Sequence, residues 1–192
     1  MITEFYSPRA LATKAEYNSI TNQWSIPWNW NPNGIDSNTT AITTRPLYTI
    51  SGLWMEKFLS NTDQIWCTKF NIPNSLNTIS GIEVELGMQR AARIEDLIIQ
   101  LTLNDQIIGD NRASTVNPVQ SDMYTGDYTT PLNPVGDYNI YGSSTDLWGT
   151  TLTSANITNS TFGVVISFKS NQIYPHSDLA YVNQVGIRIT YA

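Results

Sequence analysis

From about residue 62 to the end of the chain, apolar side chains return at every second position, and a period of two is the mark of a strand with one buried face. In FGVVISF, residues 162 to 168, Phe162, Val164, Ile166 and Phe168 share one face, and Gly163, Val165 and Ser167 the other. GIEVELGM sets Ile82, Val84, Leu86 and Met88 against Glu83 and Glu85, which reads as a solvated outer face. DLIIQLTL turns Leu97, Ile99, Leu101 and Leu103 inward; Asn104 and Asp105 then interrupt, and QII resumes, the pattern of a tight hairpin. DQIWCTKF is a further strand, stopped by Pro73, and YVNQVGIRITY places Val185, Ile187, Ile189 and Tyr191 opposite Gln184, Arg188 and Thr190. A strand with one apolar face must bury it against something. Without a βαβ rhythm or a fixed repeat, the economical solution is two sheets packed face to face. The expected fold is all-β, an antiparallel β-sandwich of jelly-roll type.

The first fifty residues lack this rhythm. PRALATKAEYNSI, residues 8 to 20, has the composition of a short helix, with Ser7 before Pro8 in the order of a cap and a first helical residue. NQWSIPWNWNPNGIDSNTT follows, with Trp24, Trp28 and Trp30 among Pro and Asn, and reads as extended chain with turns. Tryptophans in irregular chain must find cover, either on the end of the same domain or on a neighbouring subunit. The 192 residues therefore divide into an extended N-terminal arm, 1–27, and a sandwich domain, 28–192. Residues 114–140, dense in Pro, Gly and Asp, read as a long loop. Gly142, Ser143, Ser144 and Asp146 read as a turn feeding the strand at 162.

Charge excludes some partners. Ten Lys and Arg against 16 Asp and Glu give a net charge of −6, the wrong sign for nucleic acid or an anionic membrane surface. Charged residues make up only 14% of the chain, and Thr, Ser and Asn take their place, a composition suited to exposed strand faces and to surfaces that meet another protein. The start, MITEFYSPRALATK, lacks the basic-then-apolar order of a secretory signal. Cys67 has no partner for a disulfide and reads as a small core residue of a protein made in a reducing cytoplasm.

Reactive constellations are scarce. His176 stands in YPHSD beside Ser177 and Asp178, but neighbours on one strand or loop do not converge into a triad, and no GxSxG occurs. Asp105, Asp110, Asp122, Asp127, Asp137 and Asp146 fall in loops without the spacing of a calcium loop, and no phosphate-cradling glycine motif exists. Tyr124, Tyr128, Tyr138, Tyr141 and Trp148 beside Asp and Asn would suit stacking on a sugar, or the corner of a sandwich. No catalytic, cofactor-binding or metal-binding residue is assigned, and no cofactor or enzymatic activity is expected.

The ordered set WNPN at 30, FNIPNSLNTISGIEVEL at 70, IIGDNRA at 107, YGSSTDLWG at 141, ITNSTFGVVI at 157 and the closing VNQVGIRITY resembles a family of uncharacterised tailed-bacteriophage virion structural proteins, from about residue 28 to the end. The resemblance implies a jelly-roll-type sandwich without enzymatic activity. It matches Ile79, Gly81 and Ile82 at a strand entry, Asp96 before the next strand, and Gly109, Asn111 and Ala113 after the hairpin. It also matches Tyr141, Gly142, Asp146, Leu147, Trp148 and Gly149 at the corner, and Phe162, Gly163 and Val164 on the strand that follows. These are packing and turn positions, with Trp148 sealing an end of the sandwich. The implied role is a capsid decoration or cement protein, made and assembled in the bacterial cytoplasm, that binds the major capsid protein or other virion proteins as a homo-oligomer, a homotrimer being favoured. Trp24, Trp28 and Trp30 are the expected partner-binding anchors. The alternative is a neck, tail, baseplate or fibre component acting as a carbohydrate- or receptor-binding module.

Overall fold

The computed structural model describes residues 1–2, 5–6, 8–14, 17–18, 23–24, 61–74, 76–90, 94–113, 138–170 and 180–192. In chain order they form β1 (Ala10–Lys14), β2 (Tyr17–Asn18), β3 (Gln23–Trp24), β4 (Gln64–Thr68), β5 (Ile79–Arg90), β6 (Ile94–Leu103), β7 (Gln106–Ile108), β8 (Tyr138–Ser143), α1 (Ser154–Ile157), β9 (Gly163–Ser170) and β10 (Ala180–Tyr191). Two antiparallel sheets carry the architecture, one in the order β1-β4-β9-β6-β7 and one in the order β10-β5-β8, while β2 and β3 pair with each other alone.

The alternation decides what meets inside. Ile65 and Cys67 of β4, Ile99 and Leu101 of β6, and Val164, Ile166 and Phe168 of β9 line one inner face. Ile82, Val84 and Leu86 of β5, Tyr141 of β8, and Val185, Ile187 and Ile189 of β10 line the other. All belong to one hydrophobic cluster, so the two sheets share a core and form a β-sandwich. Phe162, Ile157 and Trp148 close the cluster from the connections between strands. The β6–β7 hairpin turns at Asn104 and Asp105, whose φ angles of 53° and 59° are the left-handed pair that a two-residue turn matched to the sheet twist demands.

Four expectations are corrected. Glu83 and Glu85 do point away from the core, yet their exposures are only 9% and 6%. Glu83 stands opposite Arg188 across β5 and β10, and the guanidinium donates to both carboxylate oxygens at 2.8 Å, so the pair leaves water with its charge compensated. In β6 a bulge between Asp96 and Ile98 interrupts the alternation and turns Asp96, not Leu97, toward the core, where it is 2% exposed. Ala10–Lys14 is a strand and not part of a helix. β1 pairs along its whole length with β4, from Ala10 opposite Thr68 to Lys14 opposite Gln64. A helix of that length is marginal alone, and an open sheet edge offers a full ladder of backbone bonds. Finally, Gly142 and Ser143, read as part of a turn, belong to β8, and the bend itself falls at Ser144 and Thr145.

The chain start is also bonded to the sandwich. Ile2 bridges Thr190 and Tyr6 bridges Ile187, both antiparallel, along the edge of the sheet that ends in β10. The connection into β9 contains α1, which no sequence signal above anticipates. Thr153 caps it, its Oγ accepting from the backbone N–H of Asn156 at 3.3 Å, while the Asn156 side chain accepts from the Thr153 N–H at 2.9 Å.

Candidate functional site

Of the three expected anchors, Trp24 lies in β3 opposite Tyr17 of β2, and Trp28 and Trp30 lie outside the described residues. His176 and the aromatics Tyr124 and Tyr128 lie outside them as well. The structure does bring together another set of singled-out residues, at the end of the sandwich where the hairpin exit at 109–113 meets the corner at 142–149.

Trp148 is the centre of this corner. It is wholly buried, and its indole Nε1 donates to the carbonyl of Ile82 at 2.9 Å, a bond that ties the corner to β5. Its φ of 58° is left-handed, a conformation that costs a bulky side chain about 1–3 kcal/mol and persists only where its surroundings impose it. Those surroundings are polar and directional. The Trp148 backbone N–H donates to Asp146 Oδ1 at 2.7 Å, and its carbonyl accepts from the Asp110 N–H at 2.6 Å. The Asp146 carbonyl in turn accepts from the Ile82 N–H at 2.9 Å.

Two glycines make room for the arrangement. Gly142 has φ 79°, and a Cβ there would stand 2.3 Å from the Ile82 carbonyl oxygen and 2.7 Å from the Trp148 indole nitrogen. Gly149 has φ 66°, and a Cβ there would stand 2.4 Å from the nearer carboxylate oxygen of Asp110. At Gly142 both the left-handed conformation and the fixed Ile82 carbonyl oppose a side chain, whereas at Gly149 the conformation opposes it and the Asp110 side chain would have to move.

Arg112 completes the corner. Its Nε donates to Asp146 Oδ2 at 2.9 Å and its Nη2 to Asp146 Oδ1 at 2.8 Å, the bidentate geometry of a guanidinium on a carboxylate. Nη2 also lies 3.4 Å from Asp110. The hydrogen bonds from Arg112 hold the Asp146 carboxyl below the usual aspartate range, against burial, and the same bonds push the Arg112 guanidinium up. Asp146 stands out in the sequence and Arg112 does not. The one available signal was a cation directly after a Gly-Asp-Asn turn in a chain with few cations.

Next to the corner, Asn111 pins the bulge of β6. Its Oδ1 accepts from the Ile99 N–H at 2.9 Å and from the Ala113 N–H at 3.0 Å, and its Nδ2 donates to the Leu97 carbonyl at 2.9 Å. The bulge is what turns Asp96 inward, and there the Tyr141 hydroxyl donates to Asp96 Oδ2 at 2.8 Å across the gap between the sheets. Hairpin exit, bulge, inter-sheet bond and corner are thus one connected construction.

Chemically, the construction holds chain segments in place. Its carboxylates face a guanidinium, a phenol or backbone N–H groups, and its aromatic rings are inside: Trp148 and Tyr141 offer no face for a sugar to stack on. Among the described residues, no group of three or more His, Cys, Asp or Glu is placed to hold a metal ion. Cys67 is buried, and burial pushes its thiol up, away from the thiolate that reactivity needs. No described helix is long and apolar enough to cross a membrane. No family model matches the chain, and no curated protein or solved structure matches it.

Proposed function

We propose that the chain is a structural protein of a tailed-phage virion, a decoration or cement protein that binds the capsid exterior and stabilises it. The sandwich is read as a jelly roll with an extended N-terminal arm, assembled as a homotrimer, with Trp24, Trp28 and Trp30 as the anchors on the major capsid protein or its neighbours. The observation that carries this reading is how the resembling positions are used. Asp96, Gly109, Asn111, Tyr141, Gly142, Asp146, Trp148 and Gly149 come from separate stretches of the chain and meet in one end of the sandwich, bonded to one another or packed tightly together. Residues committed in this way maintain a shape; they do not present a reagent to solvent. A protein whose bonded and tightly packed corner residues maintain a shape suits a building block, and a cement stabilises a shell by linkage, because it binds the assembled form and not the dispersed subunits.

The receptor-binding alternative places aromatics of the 124–148 region on the surface; of these Tyr141 and Trp148 are inside, while Tyr124 and Tyr128 lie outside the described residues. The test is the copy number of the chain per purified particle, measured by quantitative mass spectrometry against the major capsid subunit. A number of the same order as the capsid subunit is expected. A few copies per particle would overturn the cement reading and direct attention to the neck, tail or fibre.

A further inference from the structure

We propose that β8 pairs with β8 of a second copy of this chain, antiparallel about a two-fold axis at Ile140, and so joins the three-stranded sheets of the two copies into one. The pairing is a property of the purified protein and does not depend on a place in a virion.

β8 ends its sheet, in the order β10-β5-β8, and the register decides which of its groups point outward. Val84 of β5 stands opposite Ile187 of β10 on one side and Tyr141 of β8 on the other. The Ile187 carbonyl accepts from the Tyr6 N–H at 2.8 Å and the Ile187 N–H donates to the Tyr6 carbonyl at 2.9 Å, so Ile187 turns both groups away from Val84. Facing residues of an antiparallel ladder either exchange both bonds or neither, and Val84 therefore directs its own groups to Tyr141. Ile82 keeps the same phase two residues earlier. Its N–H donates to the Asp146 carbonyl at 2.9 Å and its carbonyl accepts from the Trp148 indole, both in the corner that continues β8. Ile140, next to Tyr141, thus turns its N–H and carbonyl outward, and neither meets a partner among the described residues. Its side chain is 45% exposed, so the edge is open where those groups lie.

The other described edges of the two sheets differ. Met1 and Tyr6 bond along β10. β7 has three residues and leaves its sheet at Gly109, whose φ is 70°. β1 follows Arg9 and ends in Lys14, and a cation on an edge opposes pairing with a copy of itself. β8, YNIYGS, carries neither charge nor proline, the residues that close an edge to pairing. Such an edge selects an extended, uncharged backbone, and a copy of β8 supplies one in matching geometry. About a two-fold axis at Ile140, the outward N–H of each copy faces the outward carbonyl of the other, so one residue satisfies both chains. The two exposed Ile140 side chains then meet on one face and cover each other. Among the described residues Glu85, opposite Ile140 on β5, is the nearest acid on that face. The axis separates the two Glu85 residues by three strand spacings, about 14 Å, which exceeds a screening length of about 8 Å at physiological salt. Repulsion between them is screened.

A two-fold contact doubles whatever else the chain forms: monomers give a dimer, and the homotrimer of the reading above gives a hexamer. The unaltered chain and Ile140→Lys, which sets two ammonium groups against each other across the axis, are compared by sedimentation over a range of concentrations. We expect a mass that doubles with concentration in the unaltered chain and stays single in Ile140→Lys, with the far-UV circular dichroism of the two alike. A monomer at every concentration overturns the pairing, as does doubling that persists in Ile140→Lys. A trimer that never doubles overturns the pairing and leaves the homotrimer standing; a dimer of monomers does the reverse. Ile140→Cys tests the register without placing a charge on the edge. A hydrogen-bonded antiparallel pair holds its Cα atoms about 5.5 Å apart, within disulfide range, and Cys67 is buried and does not compete. On oxidation Ile140→Cys should give a reducible dimer linked at position 140, and Ile107→Cys, 37% exposed on the β7 edge, should give none. Equal cross-linking of these two variants marks random collision and overturns the proposal as well.

Discussion

Trp148 combines a wholly buried side chain with a backbone conformation that bulky residues avoid, so its environment holds it against an opposing strain. Trp148→Phe keeps most of the apolar volume but leaves the Ile82 carbonyl without the indole donor, and a cost of about 1–3 kcal/mol follows for an unsatisfied buried acceptor. Trp148→Ala adds a cavity and is expected to cost about 3–5 kcal/mol, both values read from urea unfolding. Gly142→Ala should destabilise although it only adds a methyl group, since the new atom would overlap the Ile82 carbonyl. Asp146 makes the corner sensitive to acid. Its carboxyl is held down in the folded chain, chiefly by the Arg112 hydrogen bonds, so its stabilisation is fully present above the ordinary aspartate pKa of about 3.9. That stabilisation is lost as pH falls from there through the lower folded value. Asp146→Asn should lower stability at neutral pH and flatten the acid limb of the curve; unfolding midpoints of both chains between neutral pH and strong acid measure the difference.

Between elements, one side chain spans what backbone bonds cannot. The bulge in β6 leaves ladder groups that Asn111 satisfies with one acceptance, from Ile99, and one donation, to Leu97, and the bulge places Asp96 against Tyr141 of the opposite sheet. Asn111→Ala should free the bulge, with faster amide hydrogen exchange at Ile99 and Ala113 before any change at β4 or β9. Tyr141→Phe removes a donor from the nearly buried Asp96 carboxyl and is expected to cost about 1–3 kcal/mol without altering the strand order. Equal stability of Tyr141→Phe and the unaltered chain would show that this bond between the sheets contributes nothing. β1 illustrates the same scale from another side. Its residues favour a helix in isolation, and the free edge of β4 decides otherwise by offering partners along its whole length.

At the scale of the molecule, three ion pairs within the chain join described residues: Arg112 with Asp146, Arg188 with Glu83, Lys169 with Glu95. A chain with only 14% charged residues has few charges to desolvate where it meets another protein. The cement reading carries its own expectation here. Particles lacking the chain should release their contents at a lower temperature than complete particles, and added protein should restore the difference. Unchanged heat resistance would count against cementing, whatever the copy number.

The period of two in the sequence was enough for the strands at 64–68, 79–90, 94–103, 163–170 and 180–191 and for such inward residues as Ile82, Val84, Leu86, Val164, Ile166, Ile187 and Ile189, and the Asn-Asp interruption was enough for the hairpin, the inward face of β6 at its bulge excepted. Alternation is local and repeats along each strand, so a linear reading recovers it. Turn residues likewise marked a bend at Ser144. Partners across the fold were decided only by the tertiary structure. Glu83 is buried because Arg188 arrives from a strand about a hundred positions away in sequence, and Asp96 faces inward because Asn111 holds a bulge open. Arg112 finds Asp146 because two connections end at the same corner of the sandwich. Whether a charged residue meets water or its counterpart depends on strand order and register. These are set by which apolar faces pack together, and no window of neighbouring residues contains that information.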